Sequence, residues 1–167
     1  LSGEALDPLA TLIAEGTASS SRARLELDRF VAPLAASAPV DFSSLLGSID
    51  VRSLVGAFSV ADGRVFTENW ELASSTGDWL VQGSFGFDGS INYDVRLAIP
   101  PAVQQGMKDL AKYGDLVDLL RDDSGTLRLH FTVGGTATKP TAVLDLAAAK
   151  KKGAEKLLDQ LKKKFLE

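Results

Sequence analysis

Between Phe58 and Pro100 the chain reads FSVADGRVFTENWELASSTGDWLVQGSFGFDGSINYDVRLAIP. Short alternating runs are punctuated by Asp62-Gly63, Ser75-Thr76-Gly77 and Asp88-Gly89. Asp-Gly between alternating runs signals a hairpin, because the turn needs positive φ and glycine supplies it without steric cost. The cleanest run alternates Ile91, Tyr93, Val95, Leu97 and Ile99 with Asn92, Asp94, Arg96 and Ala98. A strand so patterned has one apolar and one wetted face, as antiparallel sheets allow. The stretch builds a surface and carries no recognisable chemistry of its own.

Strands are expected over Asp50 to Ala61, Arg64 to Ser74, Asp78 to Phe87 and Ser90 to Ile99. An earlier strand is expected from Thr17 to Asp28, and two later ones from Thr126 to Val133 and from Thr141 to Leu146, with Gly134-Gly135 turning the chain between them. Leu6 to Ile13 reads as a short helix capped by Asp7 with Pro8 at its first position. Phe30 to Pro39 reads as a broken helix, and Asp41 to Gly47 as a single capped turn. Ala102 to Leu120 reads as helix with a break at Gly114. Ala147 to Leu166 reads as an amphipathic helix with Ala154, Leu157, Leu158, Leu161 and Phe165 on one stripe. The expected fold is α+β: a curved, mostly antiparallel sheet of about seven strands, with flanking short helices and that C-terminal amphipathic helix.

A chain of 167 residues fits a single domain spanning residues 1–167. Met107 is the only methionine, so Leu1 reads as the start of a piece excised from a longer protein. Cysteine is absent, which excludes disulfides and thiolate chemistry and suits an oxidising compartment. A net charge of −4 gives no argument for nucleic acid as a partner. The charge is unevenly placed: residues 147–167 hold seven lysines against three acids. That Lys150–Lys164 helix has three readings: a cover for the sheet, a contact with an anionic membrane surface, or a solvated helix packed by its apolar stripe.

Enzyme chemistry finds little support. His130 is the single histidine, and it alternates with Arg128 and Thr132 on the polar side of its strand, which reads as a solvent-facing residue. One histidine and no cysteine cannot furnish a typical zinc site, and no G-x-S-x-G nucleophile elbow is present. Asp115, Asp118, Asp122 and Asp123 lack the alternating spacing of a calcium loop and read as a solvated helix end. Gly83, Gly86 and Gly89 have strands on both sides, so they read as turns and sheet curvature, not as a phosphate cradle. Trp70 and Trp79 read as sheet packing, with a ligand surface or membrane interface as the other reading. No catalytic residue, metal site or cofactor is expected.

Three ordered pieces carry a family resemblance: Phe58 to Val65 (FSVADGRV), Gly83 to Tyr93 (GSFGFDGSINY) and Leu97 to Pro100 (LAIP). They are followed by Phe131 to Thr136 (FTVGGT) with Lys139-Pro140, and preceded by Gly3 to Ser21. In this order they resemble the C-terminal region of AsmA-family proteins. The resemblance covers most of the chain; Leu25 to Val55 matches least. It implies a periplasmic domain whose parent is anchored in the inner membrane, tied to outer-membrane biogenesis and related to groove-forming lipid-transfer proteins. It implies a phospholipid or other envelope lipid, and the parent's remaining domains, as partners, and it supplies no catalytic residues. The candidate groove residues are Ile91, Tyr93, Val95, Leu97, Leu127, Leu129 and Phe131. The alternative is a capping or interaction module with a closed core and no lipid cargo.

Overall fold

The structure is a computed structural model that describes residues 11–26, 48–106, 114–147, 150–151 and 153–155. Its element order is β1 (Ala14–Ser20), β2 (Ala23–Glu26), β3 (Ser48–Ala61), β4 (Arg64–Ser74), β5 (Asp78–Gly86), β6 (Ile91–Ile99), α1 (Pro101–Gln104), α2 (Gly114–Leu120), β7 (Leu127–Thr136) and β8 (Lys139–Leu144). The strands form one open, curved antiparallel sheet in the order β1-β3-β4-β5-β6-β7-β8, with β2 also paired to β3. β1 and β2 run in line along the same neighbour, interrupted at Ser21-Arg22. The sheet is therefore seven positions wide.

The turns follow from their residues. Asp62 and Gly63 both take positive φ (51° and 68°), the two-residue geometry whose twist matches the flanking strands. The β5–β6 turn uses a different solution. Gly89 N–H donates to Gly86 O at 2.8 Å, Gly89 itself sits at φ 83°, and Gly86 N–H donates to Ser90 O at 2.7 Å. At the β4–β5 turn, the buried Ser74 hydroxyl donates to Gly77 O (2.8 Å) and accepts from Trp79 Nε1 (3.0 Å), which satisfies the indole inside the core.

Facing residues across the register divide the sheet into two sides. Leu54, Leu72, Trp79, Leu97 and Leu129 lie opposite one another in turn across β3 to β7. With Ile49, Val51, Ile99, Leu127 and Phe131 they make the apolar side. α2 lies against β7 on this side, and its Val117 and Leu120 belong to the same buried cluster. Gln104 ties this end shut. Its buried amide Nε2 donates to Ile99 O (2.8 Å) and Gly125 O (2.9 Å), while its Oε1 accepts from Arg121 Nε (2.9 Å).

Several sequence expectations are corrected. Gly134 and Gly135 do not turn the chain; they pair with Thr141 and Pro140 inside the β7–β8 ladder, and the turn falls at Ala137-Thr138. Within the expected helix over Ala102 to Leu120, the described residues are helical in α1 and α2, and Gln105-Gly106 form a turn after the first. Thr11 to Ile13 are not helical. Among the described residues the helices are few and short, so the described fold is mostly β. Leu6 to Ala10, Phe30 to Pro39 and Asp41 to Gly47 lie outside the described residues. Residues 147, 150–151 and 153–155 are helical, and the remainder of the expected C-terminal helix lies outside the description.

Candidate functional site

Among the described residues, the apolar side is not uniformly covered. Beyond Val81 and Val95, where the closed core ends, it continues as a trough of about 520 Å³. Among the described residues four aromatic side chains line it: Phe58 from β3, Trp70 from β4, Phe85 from β5 and Tyr93 from β6. Ala18, Val65 and Val81 fill the space between them, and Thr67 supplies a hydroxyl. A concave apolar site with few polar groups is the usual form of a small-molecule pocket, and this volume falls within its range.

The trough is shallow because its large side chains lie down. Gly16 faces Phe58 across the β1–β3 ladder, and a β-carbon there would fall 2.7 Å from the Phe58 ring. Gly83 faces Tyr93 across β5–β6; a β-carbon there would meet the Asn92 carbonyl oxygen at 2.1 Å and the Tyr93 ring at 2.8 Å. Gly56 lies under Trp70, whose Nε1 donates to Ala57 O at 2.6 Å. An aromatic ring that covers a neighbouring glycine restores packing to the bare backbone. It also forms a flat floor instead of a standing wall.

A bulge aims Trp70. β4 carries one extra residue between Thr67 and Trp70 relative to both β3 and β5, and Asn69 there has φ 48°. One inserted residue reverses the alternation beyond it. Val65, Thr67, Trp70 and Leu72 therefore share the apolar side. Half-burial pushes the Tyr93 phenol up from its ordinary value, against a hydrogen bond with Thr67 that lowers it.

Of the seven groove candidates from sequence, Tyr93 alone lines the trough. Leu97, Leu127, Leu129 and Phe131 are at most 2% exposed within the closed core, Val95 packs against that core, and Ile91 is buried. Sequence reasoning missed Ala18, Phe58, Val65, Thr67, Val81 and Phe85; Trp70 it read as sheet packing with a ligand surface as the other reading. The signal that marks three of the aromatics is a glycine facing or underlying each.

The opposite side of the sheet is wetted. A broad cleft of about 680 Å³ is lined both by groups of that side, Glu71, Arg96 and His130 among them, and by the core residues Leu72, Leu97 and Leu129, two of which are groove candidates from sequence. Its basic groups are already matched. Arg96 Nε stands 3.3 Å from Asp94 Oδ1, and Arg128 Nε donates to Asp122 Oδ2 at 2.6 Å. His130 stands on this wetted side, partly exposed, as the alternation of its strand predicts, and both of its ring nitrogens have partners. Its Nε2 bonds Asp94 Oδ2, and its Nδ1 lies 3.2 Å from Asp145 Oδ2. The Ala147 amide donates to Asp145 Oδ1 at 2.8 Å and, with His130 as a smaller contributor, holds the Asp145 carboxyl below its usual range. No hydroxyl nucleophile is bonded to His130 among the described residues, and none of their acidic and imidazole groups converge as a metal site.

The chain matches no protein-family model, no curated protein and no solved structure.

Proposed function

We propose that this chain is a non-catalytic binding domain of the cell envelope whose trough holds the acyl portion of a lipid. The observation that carries this reading is the continuity of apolar surface from the closed core into the Phe58–Trp70–Phe85–Tyr93 floor. Acyl chains are held by continuous apolar surface more than by polar motifs. The resemblance to AsmA-like C-terminal regions favours the same reading, and with it a periplasmic setting, a parent anchored in the inner membrane, and a role in outer-membrane biogenesis. The lysine-rich tail supports contact with an anionic membrane surface as part of that role. Among the described residues no helix is long and apolar enough to cross a membrane.

Native mass spectrometry of gently purified protein tests the reading. The expected result is a co-purified acyl lipid released on denaturation. Protein that is lipid-free after mild extraction, and that fails to take up a fluorescent fatty acid, overturns it. A second reading, an interaction module, draws on the closed half of the core, where Ile99, Leu127 and Leu129 are essentially unexposed. In that case another apolar protein surface would cover the trough.

A further inference from the structure

Both ring nitrogens of His130 face carboxylates: Nε2 meets Asp94 of β6, and Nδ1 meets Asp145 just beyond β8. An ionised carboxylate only accepts, and a neutral imidazole carries one N–H and one bare lone pair. Two carboxylate contacts are satisfied together only when both ring nitrogens carry protons. The bonded arrangement is therefore that of the imidazolium.

Asp145 is bifunctional. Its Oδ2 meets His130, while its Oδ1 accepts the Ala147 amide at the start of the terminal helical segment. The Asp145 amide in turn donates to His130 O at 2.8 Å, which anchors the same residue by its backbone. Within the segment the Lys150 amide donates to Leu146 O at 2.9 Å. Further along, a β-carbon on Gly153 would stand 3.5 Å from Leu119 of α2. The segment thus rises from the His130 contact and passes close against the helix that closes the core.

We propose that His130 is a pH-operated clamp on the root of the terminal helix: protonated, it bridges Asp94 and Asp145 and fixes the helix start; deprotonated, it releases Asp145. The Asp145 contact is the one surrendered, because it is the longer of the two and Asp145 is the more exposed carboxylate. The charged groups around the ring are Asp94 and Arg96 of β6, with Arg96 directly opposite His130. Arg128 lies two residues back on the same side of β7, and Glu71 of β4 shares the row that runs through Leu80 and Arg96. Asp145 closes the ring from beyond β8, and Lys150 acts on it from the helix. The clamp is closed at the acid end and opens as pH rises.

The test follows the Lys150 amide by hydrogen exchange, corrected for intrinsic rate, at two pH values chosen on either side of the ring's own loss of its proton. The His130 ring ¹⁵N shifts report its protonation in the same samples. Protection is expected to fall about threefold as the ring loses its proton, as befits a partly exposed ion pair. In Asp145→Asn the asparagine still caps the helix but offers no carboxylate, so the step should vanish. His130→Gln should show the lower protection at both pH values. Wild-type protection that stays constant while the ring titrates, or a step that survives in Asp145→Asn, overturns the clamp.

Discussion

The Trp70 indole lies across the α-carbon of Gly56: a β-carbon built on Gly56 would fall 2.0 Å from Trp70 Cδ1 and 2.5 Å from Nε1. The ring is pinned there by its hydrogen bond to Ala57 O. Gly56→Ala must therefore expel the indole and break that bond. The expected loss is about 2 kcal/mol by urea denaturation, the usual scale of overpacking. Trp70→Ala removes the obstacle, so the double variant should be less destabilised than the sum of the two single changes. Additive losses in the cycle would show that the indole does not rest on Gly56.

The closed and open halves of the apolar side should respond differently to truncation. Phe131 is 2% exposed and packed among Leu97, Leu129 and Leu144, so Phe131→Ala should cost about 4 kcal/mol. Phe58 lies over Gly16 at the trough, half-buried, and Phe58→Ala should cost about 1–2 kcal/mol. Equal losses in urea denaturation would mean that the trough is filled in solution.

The hairpin framework was legible in the sequence because local chemistry dictates it. Asp62-Gly63 is a turn wherever it occurs between alternating strands, and the observed φ values agree. The trough was not legible, because its position depends on one inserted residue. Strict alternation places Val65 and Trp70 on opposite sides, and only the bulge at Asn69 brings them together. Gly134-Gly135 misled for a related reason. Gly135 needs positive φ (82°) and a β-carbon there would meet Lys139 O at 2.5 Å, but that requirement arises inside a ladder. The partners of His130 come from β6 and from beyond β8, at sequence separations of 36 and 15, which no local pattern encodes.

A charge in the trough should weaken binding of an apolar ligand without unfolding the domain. Val65 lines the trough and lies outside the closed core cluster. Val65→Glu would set a carboxylate among Phe58, Trp70 and Phe85, and desolvating it is costly. Affinity for a fluorescent fatty acid, read by titration, should fall about tenfold, equivalent to about 1.4 kcal/mol. Val55→Glu is the matched control, since Val55 is 60% exposed and lies on the wetted side. Equal effects of the two changes would mean that the probe binds elsewhere.

The loop that closes α2 onto β7 should carry a distinct acid dependence. Asp122 Oδ1 accepts from the Ser124 hydroxyl (2.6 Å), the Ser124 amide (3.0 Å) and the Thr126 amide (3.0 Å), while Oδ2 accepts from Arg128. The Ser124 hydroxyl and then Arg128 hold its carboxyl at about 2, below the ordinary 3.8. A carboxyl depressed by folding binds its proton more tightly when unfolded, so it stabilises the fold fully above pH 3.8. That contribution is lost as pH falls towards 2. Asp122→Asn cannot titrate, so its urea midpoint should change less than the wild-type midpoint between pH 4.5 and 2. A residual slope is expected from Asp50, Asp88 and Asp145, whose carboxyls are also held low by Arg24, by Ser90 and chiefly by the Ala147 amide respectively. Identical wild-type and Asp122→Asn slopes over that interval would remove Asp122 from the acid response.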